Sequence, residues 1–384
     1  MDREMNFYLT INEEPVGLFK SQIIDVISFL NREFESDLFL VSFISLRHFF
    51  KHRRIIKSCD VNSIVLPSFP KLRFFKINFF FLYFICLKYK PKGIIARNIF
   101  AGFLALKCRD NKIISKVVYD GRGFIKAESE EYKIFPKKVA KMISSLESFS
   151  VNRSDFLMAI TQEMIHAWKK SYNFNKNNFV VIPNTLGEKF RDISIDSNNI
   201  NAIRLSLGFK SDDIVLIYSG STAKWQSIDN IITFCKSQLE INPKVKVLFL
   251  SNQTIELNQL IADYPTKVFR MWLDSNLITK YLMAADYGLL IRNQSITNSV
   301  SFSTKFAEYL SCGLKVITSE FMSVSNFVEI NNIGFIVKKN NFKFDLEKPT
   351  TKEKIRICDF ASHHFSKSSH SIYSKYQEML SSIE

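Results

Sequence analysis

Ser303 to Ile317 reads STKFAEYLSCGLKVI. It predicts a short amphipathic helix, stopped by Gly313 and followed at once by a strand. Ser303 and Thr304 stand where hydroxyl residues cap a helix. The first free backbone N–H groups of such a helix form an anion site. Glu308 lies four residues after Thr304, on the same helical face. A carboxylate there can accept both hydroxyls of a ribose while the helix N-terminus holds phosphates, which is what a nucleotide-sugar site needs.

Working outward, β-rich runs alternate with helical patterns. Candidate strands are Asn6–Ile11, Leu38–Phe43, Ser63–Leu66, Gly93–Arg97, Lys116–Asp120, Leu157–Thr161 and Phe179–Pro183. The helical segments between them include Ser21–Leu30 and Pro136–Phe149. Residues 187–201 are polar and read as a linker. Alternation then restarts at Ile214–Ser219, Lys246–Leu250, Lys267–Arg270, Tyr287–Arg292, Lys315–Ile317 and Gly334–Val337, and a final helix is expected from Ser366 to Leu380. Strand–helix alternation predicts an α/β protein with parallel sheets covered on both faces. We expect two Rossmann-like, doubly wound domains facing across a cleft: residues 1–186, residues 187–365, and a C-terminal helix, 366–384, packing back on the first domain. Ligands of such sheets bind beyond the carboxyl ends of the strands.

Those ends carry the candidate residues. IVLIYSGSTAKWQ, from Ile214 to Gln226, is a strand followed by small residues. Gly220 and its neighbours let backbone N–H groups approach a phosphate, and Lys224 can neutralise it; an ordinary turn with a solvated lysine fits equally. Arg292 closes the strand after Ala285-Asp286-Tyr287-Gly288-Leu289-Leu290, where it can clamp a diphosphate or form a surface ion pair. Asp286 reads as a turn and capping residue. In the first half, Val117-Val118-Tyr119-Asp120-Gly121-Arg122-Gly123 exposes Asp120 and Arg122 in a tight turn. They can orient a sugar hydroxyl or a phosphate, or form a structural Asp–Arg turn. Glu128 and Glu130 follow closely.

These motifs, in this order and spacing, resemble the GT-B glycosyltransferases, in particular the family 4 type of bacterial surface-polysaccharide clusters. The matching pieces are Tyr218-Ser219-Gly220, Ala285 to Leu290, and Lys305-Phe306-Ala307-Glu308-Tyr309-Leu310 through Ile317. Asp120-Gly121-Arg122-Gly123 resembles a D-x-R-G stretch of the acceptor half. Glu14 to Gln22, with Gly17 and Gln22, lies where that family has a loop over the cleft. Ala159 to Gln162 and Val181 to Asn184 resemble the pair of segments before its interdomain linker. The resemblance implies a retaining, metal-independent transfer from a nucleotide-sugar to a lipid-linked or oligosaccharide acceptor in O-antigen, capsule or lipopolysaccharide synthesis. It implies that Glu308 binds the ribose and that Lys224 and Arg292 are phosphate ligands; Gly220, Ser303, Thr304 and Lys305 complete the expected donor nucleotide site. Asp120 and Arg122 are then the catalytic candidates, and the nucleotide-sugar is a substrate rather than a cofactor. One departure stands out. Many family members carry a glutamate eight positions before Glu308, where this chain has Val300; Asn298 and backbone groups are what remains to contact the sugar.

Bulk composition sets the outer bounds. The chain has 384 residues and a net charge of +15, which calls for an anionic partner. It has no zinc-finger spacing, RNP motif or basic tail, so nucleic acid ranks low. The six cysteines and six histidines show no metal-ligand spacing, and no metal is expected. Met1 to Glu4 leads into a strand-like segment rather than a signal peptide, and no run is long enough to span a bilayer. A cytoplasmic protein, at most peripheral on the inner face of the membrane, is expected. Lys71 to Phe84 mixes cations with phenylalanines and reads either as a core helix or as a contact for an anionic membrane surface. Two other readings stay open: a GT-B nucleotide-sugar epimerase, and a catalytically silent partner that docks polysaccharide enzymes to the membrane.

Overall fold

The computed structural model describes residues 5–69, 72–338 and 341–383. Met1 to Glu4 and Lys71 lie outside them. The chain forms two compact units, Met1–Gly187 with Lys367–Glu384, and Glu188–Ser366.

The first unit is built on seven parallel strands: β1 (Met5–Ile11), β2 (Asp37–Ser45), β3 (Ser63–Ser68), β4 (Gly93–Arg97), β5 (Lys116–Asp120), β6 (Phe156–Ala159) and β7 (Phe179–Val181). Their order is β3-β2-β1-β4-β5-β6-β7. Phe7, Tyr8 and Leu9 are all at most 1% exposed although alternate side chains point to opposite faces. Burial on both faces is what a parallel sheet between helices requires. One face packs on Ile23, Ile27 and Leu30 and also on Ile372, Tyr376 and Met379. The last three come from the helix His370–Ser381, so the end of the chain completes the core of its beginning.

The second unit holds β8 (Ile214–Ser219), β9 (Val245–Leu250), β10 (Val268–Met271), β11 (Tyr287–Leu290), β12 (Lys315–Ser319) and β13 (Gly334–Val337). They form a parallel sheet in the order β10-β9-β8-β11-β12-β13. In both sheets the direction of winding reverses once, between β1 and β4 and between β8 and β11. Such reversals open a crevice at the carboxyl edge where the flanking connections diverge.

Every strand expected from the sequence is present, with ends shifted by up to two residues. The linker reading of 187–201 is corrected. Residues Ser197–Ser206 form a helix, capped by Asp196 Oδ1, which accepts from the Asn198 N–H at 2.9 Å. Its inward residue is the charged Arg204, 3% exposed, which pairs with Asp286 at 3.2 Å. Lys354 lies 3.1 Å from the same carboxylate, and the Val215 N–H donates to it at 2.9 Å. Asp286 is thus a buried structural anchor beneath the sheet.

Candidate functional site

The crevice of the second sheet lies between the loop after β8 and the loop after β11. Gly220 opens the first loop with φ +149°, a backbone that L side chains rarely adopt. A Cβ there would collide with Cε of Lys305, so glycine is what lets that side chain cross the loop. Lys305 arrives from the helix Thr304–Ser311. Its Nζ donates to Gln226 Oε1 at 2.7 Å and lies 5.2 Å from the centre of the Tyr218 ring. The helix itself is fixed by Tyr309, whose ring covers Gly288 and whose hydroxyl accepts from the Ser219 N–H at 2.9 Å.

Arg292, just past β11, is 6% exposed. Its guanidinium donates to Gln226 Oε1 at 3.1 Å, Ser303 Oγ at 3.3 Å, Ser301 Oγ at 3.3 Å and Asn298 Oδ1 at 3.4 Å. Two cations therefore converge on one neutral amide oxygen, that of Gln226. Burial, reinforced by the Arg292 charge, pulls the Lys305 ammonium down to about 7, against a smaller opposing pull from Glu308. The surroundings favour an anion that restores full charge to the lysine.

Ser303 does not cap the helix with its side chain; its Oγ faces Arg292 instead. The first backbone N–H groups of the helix are left without a side-chain cap. Glu308 lies one turn further along and is half-buried. Burial pushes its carboxyl up, while Lys189 and Lys305 pull it back. Thr304 is half-buried beside Lys305, and Lys224 is exposed. Gly220, Arg292, Ser303 and Lys305 are brought into one cluster, with Thr304 and Glu308 on the same helix, while Lys224 stays on the rim. Val300 is 4% exposed, and Asn298 is 1% exposed and engaged with Arg292 and the Asn293 carbonyl. Asn298 thus supports the arginine from one side.

Gln226 was not singled out by the sequence reading. A glutamine carries no chemistry of its own there; only its position between two cations gives it a part. Among the described residues, no group of three or more His, Cys, Asp or Glu side chains is placed to hold a metal.

A second cluster sits at the carboxyl edge of the first sheet. Asp120, at the end of β5, is wholly buried. Arg122 Nε lies 2.6 Å from its Oδ1, Arg97 Nη1 3.4 Å from its Oδ2, and the Tyr8 hydroxyl donates to Oδ2 at 2.5 Å. Burial alone would raise its carboxyl, but the Arg122 and Arg97 guanidiniums hold it below the usual carboxylate range. Asp120 is thus the anchor of two arginines, and Arg122 keeps the exposed surface, with 13% of its side chain open. Arg97 also pairs with Glu13 at 3.0 Å and donates to the Gln22 carbonyl at 3.4 Å. Gln22 is 2% exposed and donates to the Thr185 carbonyl at 2.8 Å. Gly17 is exposed in a left-handed turn, φ +55°, outside the cluster. Arg97 and Tyr8 were missed. The signal for Arg97 was present: like Arg292, it ends a strand next to the sheet's reversal.

Behind this turn, Glu147 accepts from the N–H groups of Ile125 and Lys126 at 3.1 and 2.9 Å, from Tyr172 Oη at 2.9 Å and from Trp168 Nε1 at 3.4 Å. It caps the helix Ile125–Tyr132, which has no side-chain cap of its own. Burial pushes the Glu147 carboxyl up to about 7, against these hydrogen bonds.

Two doubly wound parallel sheets in one chain define the GT-B class of fold, and solved structures of that class superpose over nearly the whole molecule. HepE from Anabaena, solved in complex with UDP, is 14% identical, covers 98% of this chain and 100% of its own, and gives a TM-score of 0.74. A glycosyltransferase from Rickettsia africae is 15% identical over 100% of this chain and 99% of its own, with a TM-score of 0.72. WaaG, a glycosyltransferase of lipopolysaccharide biosynthesis, is 13% identical over 98% of each chain, with a TM-score of 0.64. No protein-family model and no curated protein sequence matches the chain.

Proposed function

We propose that this protein is a glycosyltransferase that takes a sugar from a nucleoside-diphosphate donor held by the second unit. The observation that carries the reading is the convergence of Arg292 and Lys305 on Gln226 Oε1, beside a helix N-terminus without a side-chain cap. A diphosphate brings negative charge to the two cations, and Glu308 on the same helix accepts the ribose hydroxyls. Gly220, whose N–H donates to the Leu250 carbonyl at 3.0 Å, keeps the loop clear of a side chain, and Thr304, Ser303 and Lys224 complete the phosphate contacts. As the glycosidic bond breaks, charge builds on the leaving diphosphate. Fixed cations and helix N–H groups stabilise it without reorganising, a term worth several kcal/mol of barrier in comparable sites, roughly 3–4 per donor. Buried Val300 leaves sugar contacts to Asn298 and backbone groups. Asp120 holds Arg122, and Arg122 is the acceptor-side group of the first unit.

HepE is solved with UDP, and WaaG serves lipopolysaccharide biosynthesis. By analogy with these two the donor base is a pyrimidine and the product belongs to a surface polysaccharide; the motif resemblance adds to the proposal a lipid-linked saccharide acceptor, a retained anomeric configuration and metal-independence.

Val300 in place of a carboxylate favours one second reading, a nucleotide-binding partner without transferase chemistry. A screen of nucleotide-sugars with a lipid-pyrophosphate saccharide acceptor, read by mass spectrometry, separates the two. Transfer of one sugar with release of nucleoside diphosphate is expected. Diphosphate binding with no transfer from any donor supports the silent partner, and neither binding nor transfer removes both.

A further inference from the structure

The helix Asn78–Tyr89, NFFFLYFICLKY, is apolar on both sides. Its inner face, Asn78, Leu82 and Cys86, is wholly buried, and Phe75 just before it meets the rings of Phe100 and Phe103 edge to face. A soluble helix normally turns polar residues outward. Here the outward positions are Phe80 (62% exposed), Phe84 (65%), Leu87 (46%) and Phe81 (49%). Residues 80, 84 and 87 follow i, i+4, i+7 spacing, so they form one stripe. Phe74 and Phe69, at 40% and 39%, extend the apolar surface ahead of the helix. The patch amounts to roughly 500 Å², the upper range of what a monomer leaves uncovered.

The charged residues of the segment that carries the stripe are all positive. The sequence has no Asp or Glu between Asp60 and Asp110. Lys76 and Lys88 are exposed at the two ends of the stripe, and Lys90 follows at the helix C-cap. This charge decides the occupant. A second copy docked by a two-fold would set lysines of one stripe against those of the other, with no carboxylate in the segment to answer them. An anionic lipid surface answers every one. Phenylalanines on a convex helix enter the acyl boundary while lysines at the ends reach the headgroups. Twelve residues span about 18 Å, and no described helix is long and apolar enough to cross a membrane.

We infer that the outer face of Asn78–Tyr89 docks the protein in the plane of an anionic bilayer. The inference stands on the first unit's surface and does not depend on nucleotide binding. Flotation of the full chain, without nucleotide, with phosphatidylcholine vesicles and with vesicles containing phosphatidylglycerol tests it. The wild type is expected to float with the anionic vesicles and not with the neutral ones. Phe80→Ser/Phe84→Ser is expected to lose binding by about tenfold or more, with unchanged circular dichroism because both side chains are exposed. Lys76→Gln/Lys88→Gln is expected to weaken binding and flatten its salt dependence. A separate variant, Phe84→Trp, is expected to shift its emission to the blue on anionic vesicles and to be quenched by brominated lipid. No flotation of the wild type, flotation unaffected by the serines, or no response of the tryptophan each overturns the inference. Self-association in the analytical ultracentrifuge that the serines abolish overturns it in favour of a second copy.

Discussion

Burial, together with the nearby Arg292 guanidinium, loosens the hold of Lys305 on its proton. With its pKa near 7, an incoming diphosphate re-protonates it. Binding of a nucleoside diphosphate at pH 7.5 is therefore expected to take up a fraction of a proton. Calorimetry in buffers of different ionisation enthalpy measures this, and Lys305→Met is expected to abolish it. Affinity should fall as pH rises above about 7. The sign for stability is opposite. The unfolded lysine keeps its proton to near 10.5, so the folded state gains stability as pH rises from about 7 towards that value. Glu308→Gln is expected to reduce nucleoside diphosphate affinity by about tenfold, the loss of a charge-assisted pair of hydrogen bonds to ribose. The same variant should leave the affinity for inorganic pyrophosphate unchanged, and an equal loss for both ligands would remove the ribose role.

At the scale of elements, two short junctions carry the sites. Gly220→Ala forces a left-handed backbone and drives a methyl into Lys305. It is expected to cost about 1–3 kcal/mol in stability and to weaken diphosphate binding by displacing the lysine. Glu147→Ala leaves four donors unanswered and removes the cap of Ile125–Tyr132; denaturant unfolding should show a loss of about 2–4 kcal/mol. The strands were legible because parallel strands buried on both faces read as continuous apolar runs. The helix Ser197–Ser206 was not, since its buried residue is Arg204, whose partner Asp286 lies 82 positions on. The cluster of Gly220, Arg292 and Lys305 was largely legible for the opposite reason: Gly220 and Arg292 stand just past strands and Lys305 lies in the first turn of a helix, where local sequence announces them. Gln226 and Tyr8 act only through distant neighbours, and no local pattern marks that. The hydroxyl of Ser303 was assigned to its own helix, whereas a buried guanidinium competes for it.

At the scale of the molecule, each unit closes its own core, but the first does so with the last segment of the chain. Tyr376 is 1% exposed among Phe29 and its neighbours. Tyr376→Ala is expected to lower stability by about 3–5 kcal/mol and to leave diphosphate affinity nearly unchanged, as measured by thermal melting and titration. The proposed function requires the carboxyl edge of the second sheet to bind a nucleoside diphosphate. Isothermal titration of UDP, ADP and GDP into the wild type, Lys305→Met and Arg292→Ala tests it most directly. We predict saturable one-to-one binding of at least one diphosphate by the wild type, weakened about tenfold or more in each variant. No binding of any of the three by the wild type, or binding that both variants keep unchanged, would contradict the account.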